Sequence, residues 1–320
     1  SPNLRGIGGT VMILTFFVAF IFENFLCTYA SFTNASIVNT ILSICAISSQ
    51  YFGVETTYFL VMKGKHEQAK KNLIWLQANP EVEEELKKIQ KNVEEQKEKR
   101  ESFKRLFSSA TNLKAIFASA GFYLLFSTIG LHTVAPYASF IFSPSATFTS
   151  NEYTILYGIS QFVAAIFSLF FVEKLNRRPL LINSMIVIMF CNIITSTLLY
   201  FHGRNYDIAF YPWLLFLFID LYGFIGSFML PIVYVIVIEL LPLSVRAIGG
   251  SLAVSASSTG SFLTAILFWP ITGYFGMEAN FIIYSFVSLL TTVFIYFAVP
   301  ETRGKSLHEM YDKPTKMDNL

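Results

Sequence analysis

Eight stretches of this sequence, at 10–30, 36–53, 113–136, 152–172, 180–200, 212–238, 248–269 and 280–299, are almost free of charged side chains. Each is close to the ~20 apolar residues that a helix needs to cross ~30 Å of hydrocarbon. A continuous helix also satisfies its own backbone hydrogen bonds, which lipid cannot do. The prediction is an all-α integral membrane protein with eight spans, its boundaries uncertain by a few residues. Composition agrees: 54% of the chain is hydrophobic and only 14% charged, against about 25% charged in an average soluble domain. Cys27, Cys45 and Cys191 all fall in apolar stretches, so free thiols are expected rather than a disulfide framework.

The charged residues divide by loop. Eight spans place segments 1–9, 54–114, 173–179, 239–247 and 300–320 on one side of the membrane, and these hold every Lys and Arg except Arg204. Positive residues accumulate on the cytoplasmic side, so both ends of this chain are expected in the cytoplasm. The net charge of +2 gives no reason to expect a nucleic-acid partner; the expected surroundings are the lipid bilayer. Segment 54–112 differs from the rest, being polar, mixed in sign and spaced for i,i+4 pairs such as Glu84–Lys88 and Glu95–Lys99. It reads as short cytoplasmic helices, with a solvated spacer between two bundles as the simplest role.

Two short motifs return in order. Arg5-Gly6-Ile7-Gly8-Gly9 matches Arg246-Ala247-Ile248-Gly249-Gly250, and Glu55-Thr56 matches Glu301-Thr302. Two spans lie between the markers in each copy, and both copies fall on the same side. That is a parallel repeat, the arrangement of the two halves of a major facilitator carrier. The second half holds six spans, 113–299, whereas the first shows two before its closing marker. Four further spans are therefore expected before Ser1, twelve in all, with this chain supplying helices five to twelve.

Several segments resemble the sugar-porter family of the major facilitator superfamily, and within it the insect facilitated trehalose-transporter-like members. "PETRGKSLHEM" (300–310) resembles the signature after the last helix, and "EKLNRRPLL" (173–181) the Arg-Arg loop, with Asn176 where the family has Gly. "PIVYVIVIELLPLSVR" (231–246) resembles helix ten, and "YFLVMKGKHEQAKKNLIWL" (58–76) the opening of the central loop. The resemblance implies a major facilitator fold divided as follows: 1–53, the last two helices of the N-terminal bundle; 54–112, a cytoplasmic helical loop; 113–299, a C-terminal six-helix bundle; 300–320, a cytoplasmic tail. It also implies a plasma-membrane location.

By the same resemblance, Arg5, Glu173, Arg177, Arg178, Glu239, Arg246 and Glu301 form a cytoplasmic salt-bridge gate that holds the outward-open state. Several exposed pairs at ~0–1 kcal/mol each can bias two states while leaving both reachable. The plainer reading is that they set topology. The sugar site implied by the family is only partly kept. Its Gln pair is replaced by Phe126 and Ser127, its Asn by His132 and its helix-five Gln by Ile13, while Gln161 and Tyr234 are retained types and Ser257 and Ser258 stand on helix eleven. His132 and Gln161, costly in lipid, are expected to face inward, as ligands or as interhelix hydrogen bonds. Small residues at 249–261 suit close helix packing.

Glu23 and Asp220 stand outside the family pattern. Intramembrane acids suggest proton or cation coupling, although a hydrogen-bonded structural role is the simpler reading. Asn34-Ala35-Ser36 is a formal glycosylation sequon in a loop too short for use. No nucleophile triad, metal cluster or phosphate loop is visible, so neither an enzyme nor a cofactor is expected. The sequence points to a secondary carrier of a small-molecule solute, a sugar such as trehalose or a hexose, moved by facilitated alternating access. A carrier of another organic solute, a non-transporting sensor, and an incomplete product without activity are the alternatives.

Overall fold

A computed structural model describes residues 2–51, 53–77, 110–142, 148–171, 176–206, 208, 210–242 and 245–300, together with 83, 86–87, 89–91 and 93. Side chains before Ile13, and those of Leu76, Gln77, Thr111 and Leu169, lie outside the description. The described elements are all helical: α1 (Pro2–Tyr29), α2 (Phe32–Tyr51), α3 (Thr57–Met62), α4 (His66–Gln77), α5 (Ala110–Thr128), α6 (Leu131–Ile141), α7 (Ser150–Phe171), α8 (Arg177–Gly203), α9 (Tyr211–Glu239), α10 (Arg246–Phe275) and α11 (Met277–Ala298). Helix occupies nearly all the described residues of each apolar window. Among the described residues, six spans are long and apolar enough to cross a membrane: Phe32–Tyr51, Asn112–Ile141, Arg177–Gly203, Tyr211–Glu239, Arg246–Phe275 and Met277–Ala298. The other two windows are filled by α1 and α7.

The chain separates into two compact units, one of Ser1–Ala30 with Ala110–Leu320 and one of Ser31–Ser109. In the larger unit, α5 packs on α10, α11 and α9; α8 packs on α9 and α11; and α7 packs on α9 and α1. Its sidedness is that of a membrane bundle. On α8 the buried positions include Ser184, Asn192, Thr195 and Ser196, while Val187, Phe190 and Ile193 face outward. Lipid accepts apolar side chains and rejects polar ones, so the polar groups turn inward. The stripe Gly249, Ala253, Ser257 and Gly260 is the buried face of α10. A Cβ at Gly249 would meet Leu241 and Ile116, and one at Gly260 would meet Ser127 and Thr128. Small side chains here let α10 approach α5 closely.

The expected span at 113–136 is not one straight helix. It breaks at Ile129–Gly130 into α5 and α6, and α6 carries Pro136. Gly130 adopts φ +92°, and a Cβ there would lie 2.5 Å from Cδ2 of Tyr284. Only glycine meets both demands at low cost.

In the smaller unit, α3 and α4 pack through Leu60, Val61, Ala69 and Leu73, joined by Leu86 and Val93. Asn72 Nδ2 donates to the Glu55 carbonyl at 2.9 Å. Lys70 pairs with Glu83 at 2.7 Å; the hydrogen bond and opposite charge raise the ammonium's pKa and lower the carboxyl's.

Candidate functional site

A break in a membrane helix frees backbone groups that lipid cannot satisfy, so polar partners must come from neighbouring helices. At Ile129–Gly130 they do. The hydroxyl of Tyr222, on α9, donates to the Ile129 carbonyl at 3.1 Å. The Gly130 carbonyl accepts from the amides of Thr133 and Val134 and so starts α6. Thr133 then donates to Thr264 of α10 at 2.8 Å. The broken helix is thus tied to α9 on one side and α10 on the other.

Around this break lie three polar groups. In the first, Tyr123 of α5 lies edge-on to Tyr234 of α9, ring centroids 5.8 Å apart, and Ser257 belongs to the buried face of α10. Tyr123 and Ser257 are buried, whereas Tyr234 keeps 40% of its surface exposed. Ser258, next along α10, is exposed. The second group ties α7 to α9: the Ser227 hydroxyl donates to Gln161 Oε1 at 3.0 Å, and Gln161 Nε2 is buried with no partner. The third is the break itself, with His132 half-buried on the first turn of α6. Of the other predicted contacts, Ser127 is fully buried and spends its hydroxyl on its own helix, donating to Leu124 O at 2.8 Å. Phe126 beside it is also fully buried.

Sequence reading missed Tyr123, Thr133, Ser227 and Thr264. A glycine in the middle of an apolar window, with threonine three residues on, is the signal that could have found the break.

At the helix ends, Arg177 Nη1 pairs with Glu239 Oε2, joining the start of α8 to the end of α9. Arg178 instead donates to the Tyr296 carbonyl and lies over that ring, 5.3 Å from its centroid. Arg246 reaches the Leu241 carbonyl at 3.5 Å. The side chain of Arg5, and Glu173 and Glu301, lie outside the described residues.

A bundle of membrane helices with a broken span, polar bridges at the break and paired charges at the helix ends defines a multi-pass membrane protein of the major facilitator fold. The chain belongs to the family described as "Sugar (and other) transporter", whose pattern matches residues 2–313. That is a family of transporters, not of enzymes. It is 29% identical to the facilitated trehalose transporter Tret1 of Polypedilum vanderplanki and 26% identical to that of Bombyx mori. Each alignment covers 98% of this chain and 63% of the relative; the chain thus spans under two thirds of their length. The fold is similar to that of the xylose transporter XylE from E. coli in an inward open conformation. The TM-score is 0.71 at 16% identity, covering 97% of this chain and 64% of that one. A second structure, of the proton:xylose symporter XylE bound to 6-bromo-6-deoxy-D-glucose, matches with a TM-score of 0.63 at 18% identity, covering 95% of this chain and 65% of that one.

Proposed function

We propose that the whole protein is a plasma-membrane carrier that moves a sugar, trehalose or a hexose, by facilitated alternating access, with both ends of this chain in the cytoplasm. The observation that carries the reading is the broken span, tied to α9 by Tyr222 and to α10 by Thr133, together with the edge-on packing of Tyr123 on Tyr234. A sugar offers hydroxyls and flat apolar faces. The half-exposed Tyr234 ring supplies a platform, and Ser257, Ser258, His132 and Gln161 supply hydroxyl, ring-nitrogen and amide contacts. The Arg177–Glu239 pair, with Arg178 and Arg246 nearby in sequence, acts at the helix ends as a gate. Movement across the membrane then needs no covalent chemistry and no cofactor, only two packings of the bundle whose populations the solute shifts. Nucleic acid has no part in this function. The four-part division at residues 53, 112 and 299 belongs to the same proposal.

One observation favours a different solute. Phe126 and Ser127 stand where sugar porters keep amides, and both are fully buried, with the Ser127 hydroxyl engaged by its own helix. A frame with fewer amide contacts suits a less polyhydroxylated compound. Uptake of labelled trehalose and glucose by cells expressing the full-length gene separates the two. Saturable trehalose or glucose uptake, with KM raised about tenfold or more by Tyr234→Ala, is the expected result. Flux of other organic solutes alone would overturn the sugar assignment, and binding without flux would make the protein a sensor.

A further inference from the structure

Asp220 lies inside α9, nine residues beyond Tyr211, or about 13 Å along the helix axis at 1.5 Å per residue. One of its oxygens, Oδ2, accepts from the Ser160 hydroxyl of α7 at 2.9 Å. The other, Oδ1, is buried and has no partner. One turn before Ser160, Tyr157 is fully buried, and its hydroxyl makes no hydrogen bond of ordinary geometry, with Gln161, one turn on along α7, as its neighbour. The Tyr157 ring packs onto α9 at Gly223, where a Cβ would meet the phenol oxygen at 2.7 Å. That places the hydroxyl against Gly223, one helical turn from Asp220.

Among the described residues, no cation is paired with the acid. Neither α7 nor α9 contains a lysine, arginine or histidine anywhere along its length. On α1, which also packs on this seam, Glu23 accepts from Cys27, and the helix's one basic residue, Arg5, is near its start. On α8, Arg177 and Arg178 open the helix and His202 closes it, stacked on Tyr211 at 3.8 Å. Lys114 of α5, His132 of α6 and Arg246 of α10 complete the basic residues of the helices around α9. Arg246 lies at the helix end opposite to Tyr211, beyond Glu239.

A carboxylate held among apolar helices needs a cation or several donors, and Asp220 has one donor. We propose that Asp220 is a proton-binding site, a carboxyl that gains one proton from water and returns it as the α7–α9 seam closes and opens. In the protonated form, the acid's O–H can donate to the phenol oxygen of Tyr157, which has unused acceptor capacity, and both unpartnered atoms are satisfied at once. The carboxyl also joins the two helices that hold Gln161 and Ser227. Its proton therefore sets how firmly that part of the solute site is held. The consequence for transport rests on the carrier reading above; proton binding itself does not.

Infrared difference spectra of the lipid-reconstituted full-length protein, taken between acid and alkaline pH, test the site directly. The expected result is a protonated-carboxyl C=O band that appears on acidification, is lost in Asp220→Asn, and shifts in frequency in Ser160→Ala. The absence of any band sensitive to Asp220→Asn across the pH range overturns the proposal, and so does a band that Ser160→Ala leaves unmoved. Sugar counterflow at equal internal and external pH is the second arm. There the wild type is pH-dependent, and Asp220→Asn, an isostere of the neutral acid, flattens the profile. A carboxyl band without sugar counterflow in the wild type keeps the proton site and removes the sugar-carrier reading instead.

Discussion

At the scale of single residues, the break at Gly130 concentrates most of what is unusual about the bundle. Its backbone sits at φ +92° and its α-carbon faces the Tyr284 ring with no room for a methyl group. Gly130→Ala therefore meets a left-handed penalty of about 1 kcal/mol or more and a steric clash. The protein is expected to lose several degrees of thermal stability together with solute transport, measured by fluorescence-monitored melting and by uptake. Tyr222→Phe isolates a different term. It removes one hydroxyl and leaves the Ile129 carbonyl buried without its donor, which costs about 1–3 kcal/mol. If this variant melts like the wild type, the hydroxyl is not what holds the break. In the sequence Gly130 is marked only by its place in mid-window with a threonine three residues on, and Tyr222 lies in an apolar window where a tyrosine is ordinary. What distinguishes them is the partner across the helix interface, and helix rotation sets that. The same reason hid Tyr123, whose contact with Tyr234 exists only once α5 and α9 are placed side by side.

At the scale of elements, the windows of apolar sequence located every span because hydropathy measures the property that lipid selects. Their ends were less legible. The window 212–238 agrees with α9 to one residue at each end, whereas 248–269 stops well short of Phe275, the last residue of α10. Pro270 and Gly273 lie beyond the window, yet both are carried inside the helix, as membrane helices permit when neighbours satisfy the groups that a proline frees. Beyond it, Asn280 of α11 donates to Thr272 at 2.8 Å and ties the two helices across their turn. The opposite ends of α8 and α9 are joined by Arg177 and Glu239, with 17% and 29% of their side-chain surfaces exposed. That burial lies between the fully exposed and the fully buried case, so their interaction is expected at about 1–3 kcal/mol. A double-mutant cycle of Arg177→Gln and Glu239→Gln, read on the transport rate, gives this coupling. Single variants that each change the rate as much as the double variant indicate one shared interaction. Strictly additive effects would mean that the pair is incidental to gating.

At the scale of the whole molecule, topology follows from where charge cannot go. Moving a lysine-rich loop through the bilayer is opposed at every positive residue, so 54–114, with thirteen Lys and Arg, and the Arg204 turn, with one, are expected on opposite faces. Residues Lys70 and Arg204 test this cleanly because each lies outside the spans. Lys70 follows α3 in the polar segment, and Arg204 directly follows α8, stacked over Tyr200 at 3.9 Å. Cysteine can be placed at each in a background where Cys27, Cys45 and Cys191, all free thiols, are replaced by serine or alanine. In intact cells, a membrane-impermeant maleimide is expected to label Arg204→Cys at once and Lys70→Cys only after the membrane is opened. Labelling of both in intact cells would place an even number of crossings between them, where the eight-span order has three, and break that order. The reversed pattern would keep the spans and turn the protein over. Reversal would move the Arg177–Glu239 pair to the outer face, where a gate of this kind would close the opposite entrance, so the orientation decides which state the ion pair favours.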